Sequence, residues 1–193
     1  MRYEREHKAN TRKRIVEDAA RRFRLEGLSG SSVAAVMRDT GLTHGGFYKH
    51  FSSKRDLLIE SMGKAFRETA SWLVEVGQQA PAGSAWKAIV TAYLSLEHVD
   101  HPENGCPLAV LAPELARSSR DVRARISDDM VNYRDQLARF MPGRRTADRE
   151  RAFFVVFSTM IGAVSLARVI SDTAVRQRIL RAARNFLLNG FSR

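Results

Sequence analysis

The stretch Gly41-Leu42-Thr43-His44-Gly45-Gly46-Phe47-Tyr48-Lys49-His50-Phe51-Ser52-Ser53-Lys54 decides the fold. Gly41 stops one short helix, and within three residues Thr43 offers a capping side chain for the next. Two short helices joined so tightly cross at a steep angle, the helix-turn-helix arrangement. The second helix opens on free backbone N–H groups, suited to phosphate or base edges. Gly45 and Gly46 remove side-chain bulk from its first turn at a cost of about 1 kcal/mol each, which points to a need for close approach. Tyr48, Lys49, His50 and Lys54 supply a phenol and cationic groups along one edge, groups that position a protein on phosphates rather than read sequence. Phe47 and Phe51, four apart, pack inward, and Tyr48 between them faces elsewhere.

Working outward, Lys8–Glu26 reads as a helix with Ile15, Ala19 and Phe23 on one face, stopped by Gly27. Ser32–Thr40 follows, with Ser31 or Ser32 as N-cap and Val33, Val36 and Met37 inward. Beyond the motif, Ser52-Ser53 caps a long helix over about Lys54–Gly77, roughly 35 Å at the α-helical rise. Gln78–Gly83 is a composition break, and further helices are expected near Ser84–Glu97, Gly105–Arg117, Arg120–Phe140, Thr146–Ser171 and Thr173–Asn189, with a polar loop at His98–Asn104. In Arg120–Phe140 the apolar residues Val122, Ile126, Met130, Tyr133, Leu137 and Phe140 recur at helical spacing. Strand signals are nearly absent. The expected fold is all-α: a three-helix helix-turn-helix head over residues 1–53 and a six-helix body over residues 54–193.

Charge follows the same division. The net charge is +11, and residues 1–55 hold 13 Lys/Arg against 6 Asp/Glu. That concentration argues for a polyanionic partner at the head, with nucleic acid ahead of a membrane surface. One cysteine, Cys106, rules out an intramolecular disulfide and a zinc finger. The charged N-terminus lacks an apolar stretch, so no secretory signal is expected. The uncharged run Ala152–Ala167 falls short of the ~20 residues of a membrane helix. A cytoplasmic location without a membrane partner is expected. No nucleophile triad, phosphate loop or paired carboxylates stand out, so neither an enzyme nor a cofactor is expected.

Gly41-Leu42-Thr43-x-Gly45-x-Phe47-Tyr48-x-His50-Phe51-x-x-Lys54-x-x-Leu57, with Ile15-x-x-x-Ala19-x-x-x-Phe23-x-x-x-Gly27 and Ser32-Val33-x-x-Val36 before it, resembles the N-terminal signature of the TetR family of bacterial transcription regulators. The match covers roughly residues 10–60. Val36-Met37 departs from the family's frequent Ile-Ala and repacks the core. The resemblance implies a dimer that binds palindromic DNA and carries an effector pocket in its body. It implies backbone contacts from Thr43, Tyr48, His50 and Lys54, and base-edge approach by Thr43, His44, Gly45 and Phe47. It makes Ser31 and Ser32 phosphate partners, and Arg2, Arg5, Lys8 and Arg12 a basic arm or flank near the minor groove. With Gly46 and Lys49 these form the candidate DNA-binding set.

For the body, a pocket is expected between the long fourth helix and the helices bearing Tyr93, Leu111 and Tyr133, lined by Phe66, Tyr93, Cys106, Leu111, Met130, Tyr133 and Phe157 and suited to a small hydrophobic or aromatic effector. Cys106 opens a helix, where a thiolate is stabilised, so it is a candidate electrophile or oxidant sensor beside the alternative of a small buried hydrophobe. Glu97, His98, Asp100, His101 and Glu103 fall in a loop ending near Pro102, and no metal is expected there. The last two helices form the expected homodimer face through Phe154, Ser158, Ile161, Gly162, Ser165, Ile179, Ala183 and Phe186, which places paired recognition helices about 34 Å apart. The function expected is a repressor released when a ligand tilts the long fourth helix. Alternatives are a ligand-dependent activator, a helical enzyme or a protein-binding scaffold.

Overall fold

The computed structural model describes residues 2–191, with the side chains of residues 2–4 outside the description. Among the described residues there are nine α-helices, three short 3-10 segments and no strand. The head comprises α1 (Arg2–Gly30), α2 (Val33–Asp39) and a 3-10 recognition segment (His44–Lys49). The body comprises α3 (Lys54–Gln79), α4 (Ala85–Tyr93), α5 (Leu96–Asp100), α6 (Leu108–Ala116), α7 (Arg120–Leu137), α8 (Thr146–Val169) and α9 (Thr173–Gly190).

Two departures from the sequence reading have local causes. The helix expected over Ser84–Glu97 breaks at Leu94, because the Ser95 hydroxyl accepts the His98 backbone N–H at 3.2 Å and caps a new helix. A serine hydroxyl that competes for backbone amides ends one helix and starts another, so the body has seven helices rather than six. The third head helix is a single 3-10 stretch rather than an α-helix. Two consecutive glycines weaken any α-helical alternative there.

The termini of α1 also differ. It begins before Lys8, so Arg5 stands on the same helix as Lys8 and Arg12, while the side chain of Arg2 lies outside the described residues. At its far end Gly27 takes φ +74°, a left-handed conformation that breaks the helix axis before Leu28.

Ile15, Ala19, Phe23, Met37, Phe47 and Leu57 are completely or almost completely buried and form the head core, which runs on through Met62 into the body. Each large apolar side chain so buried contributes roughly 1.5–3 kcal/mol. Helix α8 is long and apolar enough to cross a membrane, with an 18-residue window of mean hydropathy 1.9, 44% of it buried. This corrects the expectation that the Ala152–Ala167 run is too short. In the fold α8 lies against α4, α5, α6, α7 and α9, and its buried face carries Phe153, Val156, Phe157, Met160 and Val164. Its other face carries exposed Phe154, Val155 and Leu166.

Candidate nucleic-acid interface and the body behind it

The head presents its recognition segment by ordinary capping chemistry. Ser32 Oγ accepts the Ala35 N–H at 3.1 Å and starts α2. Gly41, at φ +73°, ends it, and the Leu42 N–H returns to the Met37 carbonyl at 2.8 Å. Thr43 precedes the 3-10 turn, but its side chain makes no capping hydrogen bond; its carbonyl instead accepts the Gly46 N–H at 2.9 Å. This corrects Thr43 as a side-chain cap and leaves its hydroxyl on the exposed edge.

Phe47 is buried and stacks on Phe51 with ring centroids 5.5 Å apart, so it is a core anchor and not a base contact. Tyr48 is turned outward by that anchoring and stands 66% exposed, its ring edge-on to His44 at 6.1 Å. A Cβ built on Gly45 would meet nothing within 4 Å. Its lack of a side chain is therefore not required by the chain's own packing. Ser31 is corrected as a phosphate partner: it is buried, and its hydroxyl donates to the Gly27 carbonyl at 2.8 Å. Ser32 remains exposed.

The cations divide the same way. Lys49 is exposed, whereas Lys54 Nζ donates to the Leu28 carbonyl at 2.8 Å and ties α3 to the tail of α1. Arg12 is a strut: it donates to the His50 carbonyl, pairs with Glu60 at 2.7 Å and lies 4.2 Å over the Phe51 ring. Burial, then Lys8, Arg12 and Lys49, hold the His50 imidazole below its ordinary pKa of 6.5, so at neutral pH it is a neutral ring rather than a helix-end cation. Between the start of α1 and the recognition segment runs an open groove of about 790 Å³, lined by His7, Lys8, Thr11, Thr43, Tyr48 and Lys49 among others. Sequence reasoning missed His7 and Thr11. They share one face of α1, four residues apart, beside Lys8.

In the body the expected pocket residues come together as packed core. Phe66, Tyr93, Cys106, Leu111, Tyr133 and Phe157 are buried and Met130 half-buried. Tyr133 lies 5.2 Å from Phe157 and 5.8 Å from Phe66, and Tyr93 lies 6.1 Å from Phe157. Their side chains fill the space between α3, α4, α7 and α8. A groove of about 320 Å³ between α3 and α7 reaches Phe66 and Tyr133 from the surface, past Gly63, Arg67 and Asp129. The Tyr133 hydroxyl is buried without a hydrogen-bond partner, and the Tyr93 hydroxyl has only the thiol of Cys106, a weak acceptor, beside it.

Cys106 is corrected as a reactive thiolate. It is 1% exposed, and burial pushes its thiol above the usual range. Helix α6 starts two residues later, at Leu108, and its dipole does not offset that desolvation. His98 is not in a loop: it is buried in α5, with Nδ1–H toward the Tyr93 carbonyl at 2.8 Å and Nε2 accepting the Cys106 N–H at 3.0 Å. Desolvation is the main cause of its pKa of about 4, so the ring is neutral. No cluster of three metal-ligating side chains occurs among the described residues.

On the α8–α9 face, Phe154 and Phe186 are exposed, Ser158 and Gly162 lie open between them, and Ile161, Ile179 and Ala183 are half-buried. Ser165 is half-buried, and its hydroxyl donates to the Ala109 carbonyl of α6 at 2.8 Å. Val155, Leu166 and Val169 extend the exposed apolar surface beyond the residues expected.

Comparison with known proteins gives this geometry its context. The model of the bacterial regulatory proteins of the tetR family matches residues 15–60. An uncharacterized HTH-type transcriptional regulator of Mycobacterium tuberculosis is 29% identical over 187 residues, covering 92% of this chain and 94% of that one. The crystal structure of a TetR transcriptional regulator from Chloroflexus aurantiacus superposes with a TM-score of 0.75 at 23% identity, over 95% of this chain and 96% of that one. The transcriptional regulator FadR from Bacillus subtilis, in complex with stearoyl-CoA, superposes with a TM-score of 0.68 at 18% identity, over 92% and 98% of the two chains. Family match at the head, a full-length regulator relative and shared architecture throughout lead to one conclusion: residues 15–60 match the head of the bacterial regulatory proteins of the tetR family, and the whole chain shares its fold with TetR transcriptional regulators.

Proposed function

We propose that the protein is a cytoplasmic repressor that binds a palindromic operator as a homodimer and leaves it when a small, largely apolar molecule enters the body. The observation that carries the DNA reading is Tyr48, held 66% exposed by the buried Phe47 beside Thr43, His44, Gly45 and Lys49. A large aromatic left in water beside a basic groove supports contact with a sugar–phosphate backbone. Residues 1–53 act as the reading unit and residues 54–193 as the sensing and pairing unit. The apolar face of α8 and α9 supports isologous pairing.

The effector reading draws support from the aromatic cluster of Phe66, Tyr93, Tyr133 and Phe157, with its buried, poorly partnered hydroxyls and the groove leading to it. The fold neighbour from Bacillus subtilis holds stearoyl-CoA, which favours an apolar ligand here also. Release follows if the ligand favours one setting of α3, whose first turn underlies the head, with a coupling of ~1–3 kcal/mol typical of such switches.

Selection of bound duplexes from a random pool tests the reading. An inverted repeat is expected, and Tyr48→Ala should weaken binding to it roughly 10- to 30-fold without lowering the melting temperature. Recovery of no repeat, or unchanged affinity in the variant, would overturn it.

A further inference from the structure

We propose that Glu114 and Arg24, neither of them on the DNA edge, determine which spacing between operator half-sites the protein accepts. The inference rests on the paired-head reading above. Gly27 breaks α1 and leaves the N–H groups of Leu28 and Ser29 without helical partners. One carboxylate oxygen of Glu114, on α6 of the body, accepts both, at 2.9 and 3.3 Å. A Cβ at residue 27 would lie 2.9 Å from the other oxygen, so the glycine that breaks the helix also admits the carboxylate that caps the break.

Three residues earlier Arg24 sits only 2% exposed. It donates to the Gly105 carbonyl at 2.9 Å, to the Ala20 carbonyl at 3.0 Å and to Glu68 at 3.2 Å. Gly105 precedes α6 in the body, so the segment from Gly105 to Glu114 grips residues 24–29 of the head at two points.

Two points fix an attitude where one would leave a pivot. Across a head roughly 20 Å wide, a tilt of about 10° moves the far edge by about 3.5 Å. A base-pair step along the duplex is about 3.4 Å. Small changes at this grip therefore translate into whole steps of half-site separation. The buried head core and its continuation onto α3 do not depend on Glu114, whose bonds lie at a part-exposed site. Loss of that carboxylate thus loosens orientation more than it weakens folding.

The test measures affinity of the full-length protein for the selected operator and for duplexes with one or two base pairs added to or removed from its centre. Wild type should prefer one spacing sharply. Glu114→Ala should flatten that preference at least five-fold while binding a duplex with a single half-site as wild type does. Glu114→Gln keeps the amide oxygen as acceptor for both N–H groups and should restore the sharp profile. Arg24→Lys, which loses the fork to Gly105 and Glu68, should flatten it as Glu114→Ala does. Superimposable profiles for wild type and Glu114→Ala, or a parallel loss of single half-site binding, would overturn the proposal. A wild-type protein indifferent to spacing would instead remove the paired-head reading, and this inference with it.

Discussion

The recognition edge of the head and the aromatic cluster of the body handle polar groups in opposite ways. In the head, Tyr48, His44, Lys49 and Ser32 face water, and the apolar residues between them are sealed. In the body, Tyr93, Tyr133, His98 and Cys106 are sealed within an aromatic cluster. The difference matches the partner proposed for each region. A phosphate backbone has the same shape everywhere and is met by side chains held outward at fixed spacing. A small molecule is met inside, by groups that look like core until it arrives.

The widest separation between the two regions would come from splitting the proposed dimer. Phe186, 68% exposed on α9, is the place to do it. Phe186→Asp buries a like-charge pair across a two-fold interface, so light scattering should show a monomer at micromolar concentration. Operator affinity should fall by roughly 10²–10⁴, the scale of lost avidity, while the single half-site is bound as before. A variant that remains dimeric would move the interface away from α8 and α9.

Acid sharpens the contrast from the body's side. His98 titrates near 4 in the fold against 6.5 as a free side chain, so between those values the unfolded chain holds the extra proton. Its contribution to stability is complete above about pH 6.5 and drains as the pH falls toward 4, reaching a loss of about 2 kcal/mol by pH 5. Thermal melts of wild type and His98→Gln should converge as the pH is lowered from 7 to 5. Parallel pH profiles would mean that the buried imidazole is not the group that titrates.

The smallest expected effect tests whether the body's hidden hydroxyls serve the fold at all. Tyr133→Phe removes an unpartnered buried hydroxyl and should leave stability unchanged or raise it by up to about 1 kcal/mol in denaturant melts. A loss of more than that would show the hydroxyl to be satisfied within the protein and remove it as a reader of ligands.

The head was legible in advance because its constraints are local. Gly41 needs positive φ, Ser32 caps α2, and Phe47 and Phe51 set which way Tyr48 points. The 3-10 form of the recognition segment was not legible, since Thr43 has the side chain of a cap and does not act as one. In the body the helix pattern was readable, but the break at Ser95 depended on a hydroxyl choosing a backbone amide over water. The head-to-body grip was hidden for another reason: its partners, Arg24 with Gly105 and Leu28 with Glu114, lie 81 and 86 residues apart. One trace was present, a cation at position 24 one turn beyond Ala20 and beside Phe23 on the buried face of α1. A charge on an apolar stripe asks for a distant partner.

The sealed thiol has a practical side. Cys106 is the chain's one cysteine, and the fold keeps it from solvent and in its protonated form. The native protein is therefore silent toward thiol-directed dyes and spin labels, and a cysteine introduced at exposed Lys49 would be the one reactive site in each subunit. Paired labels there would make the proposed dimer its own ruler, with the distance between recognition segments read directly in solution.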